Sequence, residues 1–139
     1  MEVVEELGET DTGDWTGRSL AQLARTKAWR SVHQAPSTFR FPGGESLLEC
    51  HDRVVEAVSN LVAGHPREIV ALVSHGDPIR LLLAHFAGVH LDLFQRMIVA
   101  PASVSAIAAG DGAPHILKVN DTGDLGDLVP PKPRSRRGR

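Results

Sequence analysis

The clearest signal along the chain is a change of hydrophobic period near its centre. From residue 46 onward, Leu47, Val54, Val58, Leu61 and Val62 recur at helical spacing and predict a helix over 47–63. Ser46-Leu47-Leu48-Glu49 supplies a capping box at its start; Gly64, with Pro66 beyond it, supplies the stop. The period then collapses. Residues 68–74 (EIVALVS) form a short, branched apolar run bounded by turn-formers, which predicts a fully buried strand. Asp77-Pro78 signals the next helix, Asp as N-cap and Pro at the first helical position, running to about Phe86 and ended by Gly88. A further helical turn is predicted at 91–96. Strands follow at 103–109 and 115–119, joined by the turn 110–114.

Upstream the pattern is shorter. Residues 8–17 are too rich in Gly, Asp and Thr for a helix. Ser19 caps a short helix through Leu20, Leu23 and Ala24, a second lies near 27–32, and 34–45 (QAPSTFRFPGGE) is a loop. Helix, strand and helix followed by a strand pair predict an α/β fold, helices packed on a mixed sheet.

Composition narrows the class. At 139 residues the chain has room for one domain with a core. No apolar run approaches the roughly 18–20 residues of a membrane span, so no membrane partner is expected. The start, Met-Glu-Val-Val-Glu-Glu, lacks the basic and apolar regions of a signal peptide. A single cysteine, Cys50, permits no internal disulfide and favours a reducing, cytoplasmic location. The net charge of -2 conceals an asymmetry: residues 130–139 (PPKPRSRRGR) hold five of the fifteen bases and no acid. This tail is expected to be disordered, leaving a domain over 1–129. A basic tail can hold nucleic acid or merely solubilise the chain. The acidic body lacks the aromatic-interleaved basic patch of a nucleic-acid domain, so nucleic acid is not the expected partner.

The seven histidines include no His-x-x-x-His pair, and Cys50 and His51 are adjacent and diverge on a helix, so no metal site is expected. Walker A, Gly-x-Gly-x-x-Gly and Gly-x-Ser-x-Gly patterns are all absent. Phosphate chemistry fits better. His75 ends the predicted strand, where open α/β sheets place ligands, and the helix N-terminus beyond it favours an anion. Gly76 lets a ligand approach the backbone closely. Two readings of His75 stand: an anion-binding imidazole, or a ring that satisfies a hydrogen bond at a strand end. Glu45, on the Pro42-Gly43-Gly44 loop, is either a general acid/base or a carboxylate complementing the helix dipole. Trp15 in a Gly-rich turn reads as a packing plug.

Three segments, "GDWTGRSLAQL", "FPGGESLLECHDRV" and "VALVSHGDPIRLLL", together resemble the histidine phosphatase superfamily, the phosphoglycerate-mutase-like enzymes, and within it actinobacterial mutases and broad-specificity phosphatases. The resemblance runs from about Val4 to Val119. It implies a three-layer fold with a mostly parallel sheet flanked by helices. It also implies phosphoryl transfer from a small phosphorylated metabolite through a phosphohistidine, with no metal or organic cofactor. In that frame His75 stabilises the transferring phosphoryl group, Gly76 offers its N–H, and Glu45 protonates the leaving oxygen and activates water. Within the selectivity region expected over 25–40, Arg30 and Arg40 would reach a substrate carboxylate or second phosphate, or remain solvated. The family's nucleophile lies in an Arg-His-Gly motif, which this sequence does not contain. The expectation is therefore a C-terminal portion lacking N-terminal strands, which leaves the apolar strand 68–74 exposed along an unpaired edge, inactive alone and insoluble or paired as a homodimer, with a non-catalytic phospholigand- or partner-binding remnant as the alternative.

Overall fold

The computed structural model describes residues 2–110 and 112–123. Two short helices, α1 (Leu20–Leu23) and α2 (Lys27–Gln34), precede the longest, α3 (Leu47–Gly64). Next come α4 (Gly76–Phe86), a 3₁₀ turn at Leu91–Arg96, and strands β1 (Val104–Ala108) and β2 (His115–Asp121). The basic tail, the end of the expected domain and Asp111 of the expected turn lie outside the described residues.

α3 begins where a helix is cheapest to start. The Ser46 hydroxyl accepts from the Glu49 N–H at 3.1 Å, and the Glu49 carboxylate accepts from the Ser46 N–H at 2.9 Å, satisfying two orphan donors at once. From that cap Leu47, Cys50, Val54 and Val58, three or four residues apart, fall on one buried face. Leu81 and Ala84 of α4 pack against this stripe, with Phe39, Phe41, Val32 and Phe94 around it. Phe94 is fully buried on the 3₁₀ turn after α4.

β1 and β2 pair antiparallel, with register irregularities between Val104 and Ile107. Every predicted helix is present, and so is the strand pair. Two expectations are corrected. Residues 68–75 take no strand pairing among the described residues; the run, read as a buried strand but expected along an unpaired edge in a chain without the N-terminal strands, is largely exposed, Val73 at 92%. Branched apolar residues show that a segment prefers extension and burial, but not what it lies against. Secondly, α4 starts at Gly76 with His75 as N-cap, because the Ile79 N–H closes a turn on the His75 carbonyl at 3.1 Å. Asp77 is thus inside the first turn, paired with Arg80 at 3.0 Å. The two-stranded sheet found among the described residues is antiparallel, whereas a mostly parallel one was expected. Among them, no helix is long and apolar enough to cross a membrane.

Candidate active site

The extended segment 68–75 ends pinned in place. The Ser74 hydroxyl donates to the Leu7 carbonyl at 2.6 Å, tying the start of α4 to the 3₁₀ turn Glu5–Leu7. One residue on, His75 is exposed, and its ring makes no hydrogen bond among the described residues. A Cβ built on Gly76 would meet nothing within 4 Å, so the mouth of α4 is open. Its first-turn N–H groups and the positive end of its dipole suit an anion there.

Arg53 braces the other side of the N-terminal segment. Its Nε donates to Glu45 Oε2 at 2.9 Å and its Nη2 to Glu45 Oε1 at 2.6 Å, a two-point fork. The remaining guanidinium hydrogens go to the backbone carbonyls of Glu6, Gly8 and Glu9. All five donors of the fork are therefore used. Glu45 Oε1 also accepts from the Asp11 N–H at 2.9 Å. Burial pushes the Glu45 carboxyl up, but the Arg53 guanidinium and the Asp11 N–H outweigh it, and the net shift is below its usual range. Beneath this cluster Cys50 touches Thr10 Oγ1 at 3.4 Å, and burial pushes its thiol up to about 11. Cys50 is therefore a core residue and no nucleophile near neutral pH.

Two glycine loops lock this brace to the aromatic part of the molecule. The Asp14 N–H donates to the Pro42 carbonyl at 2.8 Å, and the Glu45 N–H to the Asp11 carbonyl at 3.1 Å. The backbones then touch. A Cβ on Gly13 would lie 2.3 Å from the Pro42 oxygen, and one on Gly44 2.3 Å from the Asp11 oxygen. Gly13 also sits at φ +51°, where an L side chain is strained. The Gly-Asp-Trp and Pro-Gly-Gly-Glu motifs, 31 residues apart at Gly13 and Gly44, are thus one interlocked unit. Trp15 follows as the plug that its turn predicted, packed on Phe41, Phe39 and Trp29 with ring centroids 5.3–6.0 Å apart.

The expected site residues meet only through that N-terminal segment. Leu7 receives Ser74, the neighbour of His75; Glu6, Gly8 and Glu9 receive Arg53, which holds Glu45. No direct hydrogen bond joins His75 to Glu45 among the described residues. Arg30 is exposed on α2. Arg40, expected as a substrate contact, is committed to the Gly44 carbonyl at 3.1 Å and to the Glu49 carboxylate of the capping box. Arg53 escaped the sequence reading. Arg53 left one trace: it stands seven residues beyond the N-cap, facing back toward the loop that bears Glu45.

Comparison with known proteins identifies the family. The family model of the histidine phosphatase superfamily (branch 1) matches residues 1–122. Phosphoserine phosphatase 1 of Hydrogenobacter thermophilus is 30% identical over 132 residues, covering 92% of this chain and 63% of its own length. Among solved structures, Bacillus stearothermophilus YhfR superposes with a TM-score of 0.78 at 29% identity, covering 85% of this chain and 60% of that one. The Shigella flexneri alpha-ribazole phosphatase shares the fold, with a TM-score of 0.73 at 20% identity, covering 86% and 60%. The chain belongs to the histidine phosphatase superfamily. It spans somewhat under two thirds of the length of these relatives.

Proposed function

We propose that this chain supplies the phosphate-holding half of a phosphatase or phosphomutase site acting on a small phosphorylated metabolite. The observation that carries the reading is His75: exposed, without a hydrogen-bond partner among the described residues, at the open N-terminus of α4. A ring kept only to satisfy a strand end would have a protein acceptor or donor. A ring beside unpaired helix N–H groups offers a donor to a phosphoryl oxygen as negative charge builds there. The names of the relatives, phosphoserine phosphatase and alpha-ribazole phosphatase, describe hydrolysis of phosphate monoesters.

In the reaction this implies, a histidine nitrogen attacks phosphorus, the P–O ester bond breaks, and a carboxyl group gives its proton to the departing oxygen. Water then attacks the phosphohistidine, the P–N bond breaks, and the carboxylate takes the proton back. The residues described supply stabilisation and proton transfer; with no Arg-His-Gly in the sequence, no nucleophile is assigned among them and no turnover is expected from these 139 residues alone.

The proton carrier was expected at Glu45, yet its fork with Arg53 favours the ionised form and occupies both oxygens. Glu9 is exposed, its carbonyl is held by Arg53 at 3.1 Å, and among the described residues its carboxylate accepts only from the adjacent Thr10 N–H. We therefore assign the proton to Glu9 and a bracing role to Glu45. Calorimetry with inorganic phosphate tests the anion site: His75→Ala should weaken binding roughly 10- to 100-fold, the worth of one charge-assisted hydrogen bond. Equal affinity in the variant would overturn the assignment. In a longer form of the protein that turns over 4-nitrophenyl phosphate, Glu9→Gln should lower kcat about 10²-fold or more, while Glu45→Gln chiefly lowers stability.

A further inference from the structure

Beside the anion site lies a cavity of about 530 Å³, a volume typical of small-molecule sites. One wall is aromatic. Trp15 and Trp29 stack with centroids 6.0 Å apart at 27°, and buried Leu23 and Val32 extend the apolar surface. The start of α4 also lines it, contributing Asp77 and Arg80. Arg80 gives one nitrogen to Asp77 at 3.0 Å, while its Nε is buried without a hydrogen-bond partner among the described residues. A buried charged donor left without an acceptor is unfavourable, and an acceptor on a bound molecule would relieve it.

The cavity and the anion site share α4. Asp77 lines the cavity and stands two residues after His75. A phosphoryl group at the helix mouth would therefore place its ester oxygen beside the cavity. Resting on the phosphate-ester reading above, we propose that this cavity receives the alcohol half of the substrate. It selects planar apolar or aromatic alcohols that carry a hydrogen-bond acceptor for Arg80. A compact polyhydroxylated alcohol would find polar lining at Thr12, Arg18, His33 and Gln95, but would have to lose its hydration against the two indole faces. A flat apolar group loses none and stacks.

The chain has two tryptophans, both in this wall, so its indole emission reports on the cavity. The test titrates the 139-residue chain with methylphosphonate and with 1-naphthylmethylphosphonate, neither of which can be hydrolysed, and follows emission and heat. The naphthyl compound should bind at least about tenfold tighter, shift the emission, and be displaced by inorganic phosphate. Trp29→Leu should remove that advantage and leave methylphosphonate binding unchanged. Leu20→Asp, at an exposed residue on the cavity edge whose replacement does not threaten the fold, should do the same. Equal affinity for the two phosphonates, with phosphate still displacing both, overturns the cavity proposal and leaves the phosphate site intact. Naphthyl binding that phosphate cannot displace overturns the link between cavity and anion site. Absence of phosphate heat overturns both readings together.

Discussion

Replacing Arg53 by lysine keeps the positive charge and removes the fork, and so isolates what the fork contributes. Five directional N–H groups become three on a single rotating point, which cannot reach the Glu45 carboxylate and the carbonyls of Glu6, Gly8 and Glu9 at once. At least two of these charge-assisted bonds are lost, each worth about 1.5–3 kcal/mol when shielded from water. The two side chains are 25% and 15% exposed, so water recovers part of the loss. The expected net cost is about 2–3 kcal/mol, or roughly 6–10 °C in Tm for a chain of this length. Urea unfolding followed by far-UV circular dichroism measures it, and hydrogen exchange at residues 6–11 shows where it acts. A cycle with Glu45→Gln should give a coupling energy of at least about 1 kcal/mol. The pH profile has a defined sign. The Glu45 carboxyl lies below its ordinary 4.5 when folded, so its contribution is present above that pH and is lost as pH falls below it. A cost under about 0.5 kcal/mol, additive with Glu45→Gln and without faster exchange at 6–11, would refute the brace.

The capping box and the glycine contacts give further checks. Ser46→Ala should cost about 1 kcal/mol in denaturant unfolding. Its partner Glu49 is held at about 2 by Arg40, so acid should erode stability as pH falls from 4.5 through that value, and Glu49→Gln should flatten the acid limb. Gly44→Ala forces a methyl against the Asp11 carbonyl and should cost about 1–3 kcal/mol, whereas Gly64→Ala meets nothing within 4 Å and should stabilise α3 by about 0.5–1 kcal/mol. Thermal melts of the two variants side by side show whether the close approach is real. His85, whose Nδ1 lies 3.2 Å from His51 Nε2, is lowered by burial and by that neighbour, with Asp52 pulling the other way. Stability should therefore be complete above pH 6.5 and decline as pH falls below it, less so in His85→Gln.

What could be read from the sequence follows the range of the interactions involved. The capping box of α3, the short helix cap at Ser19 and the strand pair after Gly88 are written in residues within a few positions of one another, and all are present. His75 and the open glycine beside it were legible because a strand-like run ending in Ser-His-Gly marks a helix mouth locally. Segment 68–74 failed because burial depends on a neighbour that the run itself does not name. The partners of Arg40 and Glu45 were not legible for a related reason. Each looked like a free loop charge, and each is held by a partner eight or nine residues away whose side-chain direction only the folded backbone sets. Arg80 was hidden inside an apolar helix stretch, where its charge read as interruption.

The interlock of Gly13 with Gly44 also divides the molecule into parts that can change separately. Everything between the two loops, including α1, α2 and Trp29, is an excursion that leaves the frame and returns to it at a fixed backbone seam. Lengthening such an excursion adds little closure entropy, about 0.6 kcal/mol per doubling. The part of this excursion outside the core, Trp29 among it, can thus be rebuilt by natural drift or by design, whereas Val32, Phe39 and Phe41 are fixed by their packing around α3 and α4. In this arrangement the aromatic wall of the proposed alcohol cavity and the proposed grip on phosphate belong to different stretches of chain, with Asp77 and Arg80 staying on α4 beside His75, and new substrates can be tried against that wall without disturbing the phosphate site.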